Sequence, residues 1–143
     1  MASKLYGNFL LKALNKEVDF DSDTIKVALL TSSYTPNQDT HDYFNDVSAN
    51  EVTGTGYTAG GITLSSKTAT YDSGTNVIVL DAADVTWSSS TITARYAVVY
   101  DSTGTASTSA LIGYVDFGSD QSSTNGNFTI TWDSTGIVRI TVA

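Results

Sequence analysis

The chain contains no cysteine, so it can build neither a disulfide framework nor a thiolate metal site. It has a single histidine, His41. A transition-metal site usually needs two or more His or Cys ligands, and a Ser-His-Asp site needs a histidine beside a presented nucleophile. His41 lies between Thr40 and Asp42, and no G-x-S-x-G elbow occurs anywhere in the chain. Bases are scarce as well: seven Lys and Arg stand against fifteen Asp and Glu, for a net charge of -8. With no basic stripe to override that charge, direct nucleic-acid binding is not expected. No apolar run approaches the ~18 residues of a membrane span. The opening Met1-Ala2-Ser3-Lys4 leads into a stretch interrupted by Gly7 and Asn8 and does not read as a secretory signal.

What the chain does have is a turn used three times. Tyr71-Asp72-Ser73-Gly74, Tyr100-Asp101-Ser102-Thr103-Gly104 and Trp132-Asp133-Ser134-Thr135-Gly136 each follow a stretch of β-branched and aromatic residues. Asp and Ser side chains can bond the backbone just ahead, and Gly supplies the positive φ that closes the turn. Strand, turn, strand, repeated, is the signature of an antiparallel β domain. The 143 residues suit one domain with a real core, and 41% hydrophobic residues mark a folded chain. The expected fold is mostly β: an antiparallel β-sandwich or jelly-roll-like domain with one N-terminal α-helix.

Within that single domain, residues 1–17 read as the helix, either packed on the edge or end of the sheet or docked as an arm on a neighbouring subunit. Tyr6, Phe9, Leu10, Ala13 and Leu14 share one helical face, with Ser3 as the N-cap. Ile25-Lys26-Val27-Ala28-Leu29-Leu30-Thr31 reads as a central strand buried on both faces. Residues 32–61 are irregular, hold the single proline Pro36, and allow one or two helical turns between Asp39 and Val47 with Tyr43, Phe44 and Val47 facing inward. Residues 62–143 read as a β-rich core. Its strands are Ile62–Tyr71, Asn76–Leu80, Val85–Trp87, Thr91–Tyr100, Ala110–Phe117, Asn127–Trp132 and a closing run from Ile137 to Val142. Asn125-Gly126 signals a loop or hairpin. Ser and Thr fill the presumed outward strand positions.

Two motifs fail on inspection. Asp19, Asp21 and Asp23 alternate like the start of a calcium loop, but Thr24 and Leu30 stand where Gly and Glu are required. Gly54-Thr55-Gly56-Tyr57-Thr58-Ala59 fits G-x-G-x-x-A, yet Gly60-Gly61 and a β run follow in place of a helix. No catalytic, cofactor-binding or metal-binding residue is assigned. A long irregular segment in a compact domain is usually functional, and aromatic residues are enriched at interface cores. Tyr34, Pro36, Tyr43, Phe44, Gly54, Gly56, Tyr57, Gly60 and Gly61 are therefore the candidate protein-contact residues. Trp87 or Tyr114, if exposed, could instead stack on sugar rings, as in a carbohydrate-binding adhesin.

The run from Asp23 to Phe44, including Ile25-Lys26-Val27-Ala28-Leu29-Leu30-Thr31-Ser32-Ser33-Tyr34-Thr35-Pro36, resembles the N-terminal signature of small virion structural proteins of tailed bacteriophages. So do Asn50–Gly61, Ala94-Arg95-Tyr96-Ala97-Val98-Val99-Tyr100-Asp101, Gly113-Tyr114-Val115-Asp116-Phe117-Gly118 and Phe128-Thr129-Ile130-Thr131-Trp132-Asp133. The resemblance implies a non-enzymatic particle component on the capsid surface. That component would be a decoration or cement protein bound to the major capsid protein and self-associating, for instance as a trimer. A tail or head-tail component is the alternative. The implied localisation is the virion, after synthesis in the host cytoplasm.

Overall fold

The computed structural model describes residues 2–142. It contains eight strands: β1 Ala2–Leu5, β2 Ile25–Leu30, β3 Ile62–Thr63, β4 Thr68–Asp72, β5 Val77–Asp81, β6 Val85–Asp101, β7 Leu111–Ile130 and β8 Val138–Thr141. One α-helix, α1, spans Phe9–Leu14. The strands form two antiparallel sheets, a five-stranded one in the order β1-β7-β6-β2-β3 and a three-stranded one in the order β4-β5-β8. This is the β-sandwich arrangement expected from the sequence.

The five-stranded sheet is covered on both faces. In β2, Ile25, Val27 and Leu29 face the core between the sheets, while Ala28 and Leu30 face a second cluster. In β6, Ala97 and Val99 take the inner face and Tyr96, Val98 and Tyr100 the outer one. Period-2 alternation with both faces covered yields the apolar runs Val27–Leu30 in β2 and Tyr96–Tyr100 in β6. The cover on the outer face is the irregular segment, whose Tyr34, Phe44 and Val47 pack onto the sheet with Tyr6. Phe44 stacks on Tyr100 with ring centroids 4.1 Å apart.

Three expectations change. The expected helix over 1–17 is a strand, a turn and the six-residue α1. Ser3 pairs with Val115 in β1, so it caps no helix. Sheet pairing of Ala2–Leu5 with β7 outcompetes a helix too short to be stable on its own. The face also differs: Phe9 and Lys12 are buried, while Leu10 and Leu14 are 42% and 82% exposed.

Second, four expected strands fuse into two long ones, β6 and β7, and Asn125-Gly126 lies inside β7 rather than at a hairpin tip. The register shifts between Trp87 and Ser90 and again between Ser90 and Ile92, so the positive φ values of Ser89 (50°) and Asn125 (47°) belong to bulges. Buried Ser90 holds the bulge together: its Oγ lies 2.7 Å from Ser123 Oγ and 3.0 Å from the carbonyls of Trp87 and Gly126. Third, Ile62–Tyr71 is two strands in different sheets, β3 and β4. The residues between them, Leu64 to Lys67, cross from one sheet to the other, and Leu64 enters the core.

Ser and Thr do line the outward strand faces. Thr86 and Thr129 hydroxyls meet at 2.9 Å, and Thr93 and Ser122 at 2.7 Å, both on exposed surface. Such cross-strand pairs stabilise an antiparallel ladder modestly.

Candidate contact surfaces

The irregular segment is tied down along its length. Glu51 is its hub: one carboxylate oxygen accepts from the Tyr57 hydroxyl and from the Gly60 N–H, both at 2.6 Å. The Tyr57 hydroxyl in turn accepts the Leu29 N–H of β2 at 3.0 Å, and its ring stacks on Trp87. Burial and the neighbouring Glu51 push the Tyr57 phenol well above its usual range, so it stays a neutral donor. Tyr100 donates its hydroxyl to the Gly60 carbonyl at 2.7 Å.

The glycines are there for close approach rather than for flexibility. At Gly61, φ is +77°, and a Cβ would overlap the Val27 carbonyl oxygen and lie 2.8 Å from Ala28 Cα. At Gly56, φ is +80°, and a Cβ would come within 2.8 Å of Ser90 Cα. Gly54 lies similarly close to the Thr91 backbone. Only glycine lets this backbone lie directly against β2 and β6.

The candidate contact residues thus divide. Tyr34 and Phe44 are core residues, 2% and 7% exposed, and their packing is within the chain. Tyr57 is half-buried and engaged as above. Pro36 and Tyr43 are half-buried, while Gly54 and Gly56 are exposed in backbone that lies flat on the sheet. An aromatic in an irregular stretch looks the same in sequence whether it points out or in. Here the sheet needed a second cover, and the segment provides it. Trp87 is 3% exposed beneath Tyr57 and against Phe128, so its ring is not presented to a sugar. Tyr114 is half-buried and tilted on Tyr6 at 5.4 Å.

α1, which the sequence also offers as a contact arm, exposes two leucines that the helical pattern placed inward, Leu10 and Leu14, with Leu11 beside them. Leu10, Leu11 and Leu14 are 42%, 57% and 82% exposed. They point outward because Lys12 points inward. Its ammonium lies 3.5 Å from the Tyr43 ring centroid, 3.5 Å from Asp42 and 3.6 Å from Glu17. The Tyr43 hydroxyl donates to Glu17 at 2.6 Å, closing the group. Burial works against the Lys12 charge, but Tyr43, Glu17 and Asp42 outweigh it and raise its pKa. A lysine on the inner face rotates the helix, and the leucines follow from the 3.6-residue period.

A second apolar surface is the seam between the two sheets, a cavity of about 360 Å³ lined by Leu5, Phe117, Ile130, Trp132, Ile137 and Val138 among others.

No protein-family model, no curated protein and no solved structure matches the chain. The chemistry of its own residues therefore carries the reading. His41 Nδ1 meets the Tyr34 hydroxyl at 2.9 Å, and that hydroxyl meets Tyr6 at 2.9 Å, a chain of partners that closes the outer core. Among the described residues, no group of three or more His, Cys, Asp or Glu is placed to hold a metal ion. No described helix is long and apolar enough to cross a membrane.

One carboxyl is out of place. Asp101, at the end of β6, is 4% exposed, and its buried Oδ2 has no hydrogen-bond donor. Burial first, then Asp23 and Asp19, raise its pKa from 3.8 to about 7, against the opposing pull of Lys67. Lys67 is occupied in donating to the Asp23 carbonyl.

Proposed function

We propose that this chain is a non-enzymatic structural component of a bacteriophage virion. In this reading it is a decoration protein that binds the major capsid protein lattice at the capsid surface and self-associates. The virion assignment rests on the sequence resemblance. The observation that carries the binding role is the leucine face of α1. Exposed leucines are ordinary one at a time, but three adjacent ones on a helix anchored by the buried Lys12 and its two half-exposed acids form a fixed apolar patch. Lys4 and Lys16 are also exposed near this end of an otherwise acidic chain. The partner surface that fits is apolar with an acidic rim.

The rest of the design suits such a part. Backbone bonds and glycine-tight packing give rigidity without disulfides, so little ordering cost is left for binding. Weak single contacts are multiplied across a repeating lattice.

Leu11→Asp combined with Leu14→Asp tests the reading by co-sedimentation with capsids assembled from the major capsid protein of the same genome. The expected result is loss of co-sedimentation with a melting temperature close to that of the parent chain, because both side chains are exposed. Unimpaired co-sedimentation of the folded double variant would remove α1 as the contact. No co-sedimentation of the parent chain would remove the capsid reading and leave the tail or head-tail alternative.

A further inference from the structure

We propose that two copies of this chain associate edge to edge through β8, antiparallel and centred on Ile140. This deepens the self-association part of the reading above. It concerns only how copies meet one another, so its test needs no capsid.

The first observation is the edge itself. β8 ends the three-stranded sheet, and among the described residues no strand pairs with its outer side. Free edge strands are normally guarded by proline, a bulge or an inward-facing charge. β8 has no proline, bulge or inward-facing charge; what guards it is its length of four residues and the exposed Arg139. Val138 is in the core, Ile140 packs against it, and Val142, next in the alternation, is 47% exposed. The charged side chain of this strand, Arg139, is exposed on the other face.

The second observation is the seam. Five strands lie over three, and the narrower sheet stops at β8 while β1 marks the edge of the wider one. The largely apolar cavity opens between those two edges, lined from one side by Leu5 and from the other by Ile137 and Val138, with Lys4, Asp133 and Arg139 also in its lining. A strand added to β8 extends the narrower sheet beneath β1 and covers that opening.

The third observation is charge, which selects a second copy as the occupant and sets the register. At a net charge of -8, copies repel over most of their surface. From Ile137 to Val142 there is no acid and one cation, Arg139, so two copies can approach along this edge without acid facing acid. Pairing centred on Arg139 would set two guanidinium groups opposite each other. Pairing centred on Ile140 sets Arg139 opposite Thr141 and Val138 opposite Val142, with all apolar side chains on the inner face. The contact is isologous, so it closes as a two-fold dimer rather than the trimer that the resemblance suggested.

Light scattering coupled to size exclusion, with sedimentation equilibrium for the dissociation constant, tests this on the full chain. The parent chain is expected at twice 15.1 kDa. Thr141→Arg places like charges opposite Arg139 of the partner subunit twice per dimer and should weaken association by roughly twofold to thirtyfold. Thr141→Glu offers the same group a carboxylate and should preserve or tighten it. Both effects should shrink with added salt. A monomer at the highest soluble concentration would overturn the proposal. So would a trimer, or an equal response to the Arg and Glu variants with circular dichroism unchanged. None of these outcomes bears on the α1 contact, which is read separately by co-sedimentation.

Discussion

Gly61→Ala should be the most damaging single-methyl change in this protein, costing roughly 2–5 kcal/mol. Two effects add. The backbone at Gly61 has φ +77°, and a left-handed conformation costs a residue with a Cβ about 1–2 kcal/mol. The new carbon would also stand 2.6 Å from the Val27 carbonyl carbon and 2.8 Å from Ala28 Cα. Both neighbours belong to β2, where a shift would disturb the pairing of Val27 with Val99 and Ala28 with Val98. Overpacking against atoms that cannot move typically costs about 1–3 kcal/mol. In a chain of this length, the expected fall in melting temperature is on the order of 5–20 °C. Gly104→Ala is the control. Its φ is +86°, yet nothing lies within 4 Å of the added carbon, so only the conformational cost applies, about 1–2 kcal/mol. Equal losses in the two variants would show that close approach is not what requires glycine at Gly61.

Asp101→Asn should stabilise the protein above neutral pH and flatten its stability profile. In the folded chain Asp101 holds its proton up to about pH 7, whereas its ordinary value is 3.8. The native state therefore binds the proton more tightly than the unfolded chain, and stability falls as pH rises between those two values. The loss is complete above the folded value and amounts to at most about 4 kcal/mol, at about 1.4 kcal/mol per unit. Asparagine has the shape of the protonated acid, cannot ionise and can donate to the Asp23 carboxylate. Urea unfolding between pH 5 and pH 8.5 should show the parent chain weakening with pH while the variant stays level. Acid loss is a separate matter. Burial alone would raise Asp46, but the Asp42 and Tyr43 N–H groups hold it low, and Arg95 holds Asp116 low. Their stabilising contributions are present above the ordinary carboxylate value and vanish as pH falls through their lowered ones. A parallel pH dependence in the parent chain and the Asn variant would show that Asp101 is not the titrating group.

Asp101 also marks the limit of what the sequence could say. The three Asp-Ser turns look alike, and two behave alike. Asp72 accepts the Gly74 N–H at 2.9 Å, and Asp133 accepts the Thr135 N–H at 2.8 Å. The third turns its Asp inward, and its loop is organised by Thr103, whose backbone N–H reaches Ser109 Oγ at 3.1 Å. Only the alternation of β6, with Ala97, Val99 and Asp101 on one face, distinguishes it, and that requires knowing the strand runs unbroken to its last residue. The antiparallel fold class was legible because turn chemistry and β-branched runs are local. The double burial of β2 was legible because its apolar run does not alternate. The fusion of strands into β6 and β7 was not, because a bulge at Ser89 and Asn125 uses the same residue types as a turn. On the expected inward face of the first helix Tyr6 and Phe9 are buried, but Leu10 and Leu14 are exposed, because burial of Lys12 depends on Glu17, Asp42 and Tyr43, the last two thirty or so residues further on.

In the proposed capsid reading α1 is the contact with the lattice, while segment 32–61 is already engaged on its own sheet. Amide hydrogen exchange, compared between free and capsid-bound protein, tests that directly. The account predicts new protection over Phe9–Asn15 on binding and little change between Ser32 and Gly61, where bonds to Glu51 and β2 slow exchange beforehand. Protection gained across the irregular segment, with α1 exchanging as freely as before, would contradict it.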